Sequence, residues 1–268
     1  MKPRLPGILI NLFVLIVGVM SLLAPFVLPG ARGTVGSGSS FPIMVSLIIV
    51  LCLFVLLYEI QSSTIDSKMI AFLGVLIAIN AGLRFLENAI PGPAGFSPVF
   101  FLIILTGYFF GGRIGFLMGA MTMFISGLIT GGVGPWLPGQ MITAGWVGQS
   151  SALLKSALFA VRWRGKHIEI IILAIFGAFW GILYGAIMNL WFWPFLSAAP
   201  GQTWMQNAGL AENIGRYSAY YLATSLVWDI TRSVGNVLML STLTRPVLKV
   251  FQRFHQRFAF EVVKEDQP

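Results

Sequence analysis

Cysteine, histidine and charge are all scarce in this chain of 268 residues, and each scarcity removes a class of function. The single cysteine, Cys52, lies in an apolar run, which excludes a disulfide framework within the chain and any cysteine-based metal cluster. The two histidines, His167 and His255, fall beside basic residues in predicted connecting or tail segments. No predicted span carries a histidine, so Ser126, next to Gly127, has no base to make it a nucleophile. No G-x-x-x-x-G-K-[ST] phosphate loop occurs, because the Gly165–Lys166 pair lacks both the upstream glycine and the following hydroxyl. An HExxH motif is absent too. These gaps predict a chain that is not an enzyme, hydrolyses no ATP by itself and holds no cofactor or metal.

What is abundant is apolar. Hydrophobic residues make up 57% of the chain against 10% charged, and the mean hydropathy is +0.85. That composition predicts an all-α, polytopic membrane bundle. At roughly 20 apolar residues per crossing, the length accommodates about eight spans with short connections.

The most informative stretch is residues 131–149, GGVGPWLPGQMITAGWVGQ, where an apolar span breaks and then resumes. Pro135 and Pro138 fix φ and donate no backbone hydrogen bond, whereas Gly131, Gly132, Gly134 and Gly139 permit tight turns. Trp136, Gln140 and Trp146 stand where lipid-facing sequence would carry Leu or Val. Irregular backbone near a membrane needs protein or water to satisfy its polar groups. The elbow is therefore either one wall of a binding cavity or an interfacial turn with belt tryptophans.

In chain order, a retained first helix is expected over 7–29, a flexible connector over 30–40 and a second helix over 41–58. A polar loop at 59–68 is the best internal boundary. Further helices are expected at 69–88, 98–111, 114–130, from the elbow to 161, at 168–195 and at 217–244, with a long loop at 196–216. This gives three regions: 1–67 with two N-terminal helices, 68–250 as the core, and 251–268 as a charged cytoplasmic tail. Assigning loops alternately to the two faces puts twelve Lys and Arg on the side of the N-terminus and only Arg32 and Arg216 on the other, with Arg84, Lys155 and Arg232 within spans. The positive-inside rule then places both termini in the cytoplasm and the elbow on the outer face. It also accounts for the net charge of +8 without a nucleic-acid partner.

Ionisable groups within spans face protein or a wet cavity because lipid penalises them. Asn80, Arg84 and Glu87 share one helical face near the outer end of their span, where the two charges either snorkel or line a site. Asp229 and Arg232, three apart, either neutralise each other or serve a ligand. Glycines four apart, at 115 and 119 and at 177, 181 and 185, predict close helix contacts.

Three stretches, GLRFLENAIPGPAG, GYFFGGRIGFLMG and GGVGPWLPGQM, resemble the substrate-binding S components of energy-coupling factor (ECF) vitamin importers. The resemblance implies a six-helix S-component core over about 68–250, preceded by the two extra helices. It also implies capture of a vitamin or cofactor precursor at the outer face of the cell membrane, and delivery inward with a separate scaffold subunit and two cytoplasmic ATPases. Family sites use the loop after the first core helix and the outer parts of later helices. On this chain that points to Asn80, Arg84, Glu87, Asn88, Trp136, Gln140, Trp146, Asn189 and Trp191, with Asp229 and Arg232 as a floor. The scaffold contact, made in the family through small residues on the first core helix, falls on Gly74 and Ala78; the family pattern is alanines four apart, which Gly74 matches only approximately. The tryptophans suggest a cobalamin-like corrinoid as ligand. Two other functions stay open: a structural membrane scaffold like the cell-shape protein MreD, and a stand-alone secondary transporter, although no inverted repeat is visible.

Overall fold

The computed structural model describes residues 67–89, 96–134, 136–161, 167–196 and 199–258, and scattered positions between 12 and 26. The expected second helix, the connectors at 30–40 and 59–66, the Pro91 to Gly95 turn and the end of the tail lie outside the described residues. Every regular element among them is helical: α1 (Ser67–Ala89), α2 (Val99–Phe110), α3 (Gly112–Thr130), α4 (Leu137–Ala160), α5 (His167–Phe192), α6 (Leu210–Thr224) and α7 (Leu226–Phe258), with a 3-10 turn at Trp193–Phe195. Three stretches are long and apolar enough to cross a membrane, Ser67–Glu87, Gly112–Thr130 and His167–Phe195.

The core is built around α2. Its twelve residues VFFLIILTGYFF are apolar on every side, and Val99 through Tyr108 are all buried, as a helix without a polar face must be. Helices α3 and α4 pack against it and against each other, α1 lies on α3, and α5 pairs with α7. From α1 to α5 successive helices alternate in direction, and α7 runs antiparallel to α5, with Asp229, Ser233 and Asn236 meeting Gly185, Gly181 and Gly177, so one end of the bundle collects the C-termini of α1, α3 and α5 with the N-termini of α2, α4 and α7.

Glycine sets the spacing. A methyl group on Gly148 of α4 would run into the backbone of Gly115 on α3, and one on Gly107 of α2 would run into the backbone of Gly148. Three helices therefore meet backbone to backbone at one point, an approach that only small residues allow. Between α2 and α3 the chain reverses through Gly111 alone, at φ 103°, a conformation side chains other than glycine's rarely adopt. The glycines of α5 do the same work against α7: a methyl at position 181 would meet Ser233, and one at 185 would overlap the Asp229 carboxylate.

The elbow is shorter than its composition suggests. Helix α3 ends on Gly131 in the left-handed conformation, with the Gly132 amide returning to the Gly127 carbonyl at 2.9 Å, and α4 begins at Leu137. Pro138 falls in the first turn of α4, where its missing N–H costs no helical bond. Gln140 and Trp146 therefore stand on a helix.

Two boundaries differ from expectation. The span expected over 217–244 is two helices broken at Ser225, and its first helix begins inside the expected loop, at Leu210. The buried Asn213 explains the early start, since its amide nitrogen donates to the carbonyls of Met205 and Ala208 while its oxygen accepts from the Met205 amide. At the other end, α7 continues through Pro246 to Phe258. Phe251 is buried there and Phe254 stacks on Phe72 at 3.8 Å. The N-terminal positions described are helical and touch the core: a methyl on Gly18 would meet Ile142 and Trp146 of α4, and Phe26 lies edge-on to Trp204 at 5.0 Å.

Candidate functional site

Polar side chains gather at the end of the bundle where α1, α3, α4 and α5 present the ends nearest the elbow. Asn80, 0% exposed, donates to the Val99 carbonyl at 3.0 Å and the Thr122 hydroxyl at 3.2 Å, pinning α1 to α2 and α3. One turn further on, Arg84 turns into the bundle. Its guanidinium reaches the Met123 sulfur at 2.7 Å, the Ser126 hydroxyl at 3.0 Å and the Gln140 side-chain oxygen at 3.2 Å. Glu87 accepts from the Ser97 hydroxyl at 2.9 Å and lies within electrostatic reach of both Arg84 and Arg232. These contacts point into protein, which answers the question of snorkelling.

The opposite wall belongs to α5 and α7. Asp229, 2% exposed, accepts from Arg232 and from the Tyr221 hydroxyl, the latter at 2.8 Å. Arg232 also donates to the Gly181 carbonyl at 3.2 Å, and its guanidinium lies 5.7 Å from the centre of the Tyr184 ring. The expected ion pair is therefore formed, in a setting where Ser233 and Asn236 also donate to α5 carbonyls, those of Ala178 and Gly177, each at 2.8 Å. Tyr184 stands between the two walls, edge-on to Phe100 and with its hydroxyl 4.0 Å from the Met123 sulfur.

The remaining expected residues are placed as follows. Trp136, 38% exposed, folds back on its own turn, its indole donating to the Gly132 carbonyl at 3.1 Å. Gln140 is engaged by Arg84. Trp146 packs on the core next to Gly18 of the N-terminal helix. Asn189 donates to Gly185 within α5 and accepts from Ser225 at 2.9 Å, bracing the break between α6 and α7. Trp191 is buried, with the Phe192 and Phe195 rings beside it. The side chain of Asn88 lies outside the described residues. Gly74 and Ala78 are on an exposed stripe of α1, and nothing lies within 4 Å of where a Gly74 methyl would be. Arg84, Glu87 and Gln140 thus come together with Tyr184, Asp229 and Arg232, whereas Trp136 and Trp191 are used for local packing.

Sequence reasoning missed Ser97, Met123, Tyr184 and Tyr221, and weighed Ser126 only as a nucleophile. Thr122 and Ser126, four apart in an otherwise apolar helix, were the available signal. It also missed a buried pair at the opposite end, where the Tyr108 hydroxyl donates to Glu169 in the first turn of α5. Among the described residues no group of His, Cys, Asp and Glu could hold a metal ion.

Among the described residues the chain is all-helical, with apolar helices of membrane-spanning length and a polar cluster at one end of the bundle, the features of a membrane-embedded helical protein. The model of the ECF transporter substrate-specific component family matches residues 68–244, so the chain belongs to that family. No curated protein and no solved structure matches it.

Proposed function

We propose that this chain is the capture subunit of an ECF-type importer, taking a vitamin or cofactor precursor at the outer face and passing it inward with a scaffold subunit and two ATPases. The observation that carries the reading is the convergence of Arg84, Glu87, Gln140, Tyr184, Asp229 and Arg232, drawn from four helices, at one end of the bundle. Binding sites in helical bundles have that composition, apolar walls with a few placed polar groups. In this reading Arg84, Glu87 and Gln140 meet the ligand, Asn80, Asn189 and Trp191 hold the walls, and Asp229 with Arg232 forms the floor. The protein spans the cell membrane about eight times with both termini in the cytoplasm. The scaffold subunit docks on the α1 stripe of Gly74 and Ala78, which is exposed, with nothing within 4 Å of where a Gly74 methyl would be. A corrinoid draws less support, because Trp136 and Trp191 are spent on packing.

The test is purification of the chain alone, followed by mass spectrometry of whatever co-purifies and direct binding of cobalamin, riboflavin, thiamine, biotin and pantothenate. Tight binding without transport is expected. Gln140→Ala weakens binding far more than it lowers the melting temperature, and an equal loss of both makes the elbow purely structural. Uptake by the chain alone in proteoliposomes would refute the reading in favour of a secondary transporter.

A further inference from the structure

Among the described residues, three arginines lie toward the site end, and two of them are matched. Arg232 pairs with Asp229 and Arg216 with Glu212. Arg84 has no carboxylate within ion-pair distance among the described residues; its acceptors are a thioether, a hydroxyl and an amide oxygen, all neutral. Glu87, three residues along the same helix, has the spacing to pair with Arg84. It is instead held by Ser97. The two groups are thus held by separate hydrogen-bond partners, beyond ion-pair distance but within electrostatic reach of each other.

A charge in a membrane helix is costly and normally neutralised or exposed to water. Arg84 sits near the helix end, yet it turns inward, where its direct acceptors Met123, Ser126 and Gln140 are neutral and Glu87 acts on it only from beyond ion-pair distance. A guanidinium carries five N–H donors in a planar fork suited to two acceptor oxygens at once. The acceptors seen here engage Nη1 and Nη2 and leave Nε without one. That is a cation fixed in place with its fork partly unfilled.

We propose that the substrate carries an anionic oxygen group, a carboxylate or a phosphate, which seats on the open Nε side of the Arg84 fork next to the Gln140 amide, while Glu87 accepts an N–H or O–H from the same molecule. This rests on the capture reading above and narrows its substrate class. The corrinoid ring is not what the site selects; the acid group is.

The experiment uses the full chain in detergent and matched ligand pairs that differ only in the anion: pantothenate and panthenol, biotin and biotin methyl ester, nicotinate and nicotinamide, pyridoxine 5′-phosphate and pyridoxine. Riboflavin and thiamine serve as probes without such a group. Loss of a desolvated charged partner corresponds to about 30-fold or more in affinity. At least one acid is expected to bind, its neutral partner about 30-fold more weakly or worse, and Arg84→Gln is expected to erase the difference within the pair. Arg84→Lys keeps the charge without the fork and retains part of the preference. The ligand pairs are compared on the unaltered protein, so the result does not depend on the variants folding. Equal binding of both members of a pair, or tight binding of riboflavin or thiamine unmoved by Arg84→Gln, overturns this inference and leaves the capture reading standing. Binding of no probe, cobalamin included, overturns both, whereas binding of cobalamin alone overturns only this inference. Arg84-dependent stabilisation by phosphatidylglycerol, with none of the acids binding, assigns the fork to a lipid headgroup and also overturns the inference.

Discussion

Replacing Asp229 by Asn separates a pairing role on α7 from a merely local one. The carboxylate is 2% exposed and serves two donors, while its partner Arg232 is 20% exposed and holds a second acceptor at Gly181. Removing one member of a buried ion pair costs roughly 3–5 kcal/mol, because the other charge is left uncompensated. Arg232 keeps some water and the Gly181 carbonyl, which puts Asp229→Asn at the lower end, about 3 kcal/mol, or roughly a hundredfold in the unfolding equilibrium. Arg232→Gln strands a more deeply buried charge and should cost at least as much. The double variant removes both charges together, so its cost falls short of the sum by about 0.5–3 kcal/mol, the range for residues in direct contact. Unfolding of the purified chain in mixed micelles with increasing dodecyl sulfate, followed by tryptophan fluorescence, measures all three. Additive costs, with the double variant equal to the sum of the singles, would show that the pair contributes no coupling and would refute the account of the α5 and α7 seam.

Gly148→Ala and Gly74→Ala make the same chemical change with opposite outcomes. The first drives a methyl into the Gly115 backbone and costs at least the 1–3 kcal/mol typical of overpacking, whereas the second meets nothing and raises the melting temperature through the gain of about 0.5–1 kcal/mol from removing a helical glycine. Gly74→Leu leaves the isolated chain folded and reduces capture of the scaffold subunit in pull-down. Asn213→Ala removes the side-chain contacts that shape the segment before α6, so limited proteolysis should cut between 199 and 209 faster than in the parent chain. Tyr108→Phe takes one donor from the buried Glu169 and lowers stability by about 1.5–3 kcal/mol in the same micelle assay, without changing ligand affinity at the far end.

Much of the bundle was legible because membrane helices announce themselves by length and hydropathy. The helices α1 to α5 lie within a few residues of where apolar runs and glycine turns put them. The shared face of Asn80, Arg84 and Glu87 was readable from helical spacing. What they touch was not, because Thr122, Ser126, Ser97 and Gln140 are 10 to 56 residues away in sequence. The break at Ser225 carries neither glycine nor proline; it is bridged by a hydrogen bond to Asn189, a partner that only the fold supplies. Pro246 misleads in the opposite direction, since α7 runs through it and is anchored beyond by Phe251 and Phe254. The placement of Trp136 was not legible either, as a count of tryptophans gives no hint that its indole donates to Gly132 of its own turn.

The meeting point of Gly107, Gly115 and Gly148 also constrains how this chain is able to diverge. A side chain can be acquired at one of these positions only if the others withdraw, and glycines have nothing to withdraw. Single steps away from glycine are therefore closed, and an exit requires two helices to move apart in the same event. Across homologues these three sites should be fixed together or replaced as a set, on a timescale set by the rarest of coordinated changes, while the exposed face of α5 drifts freely around them.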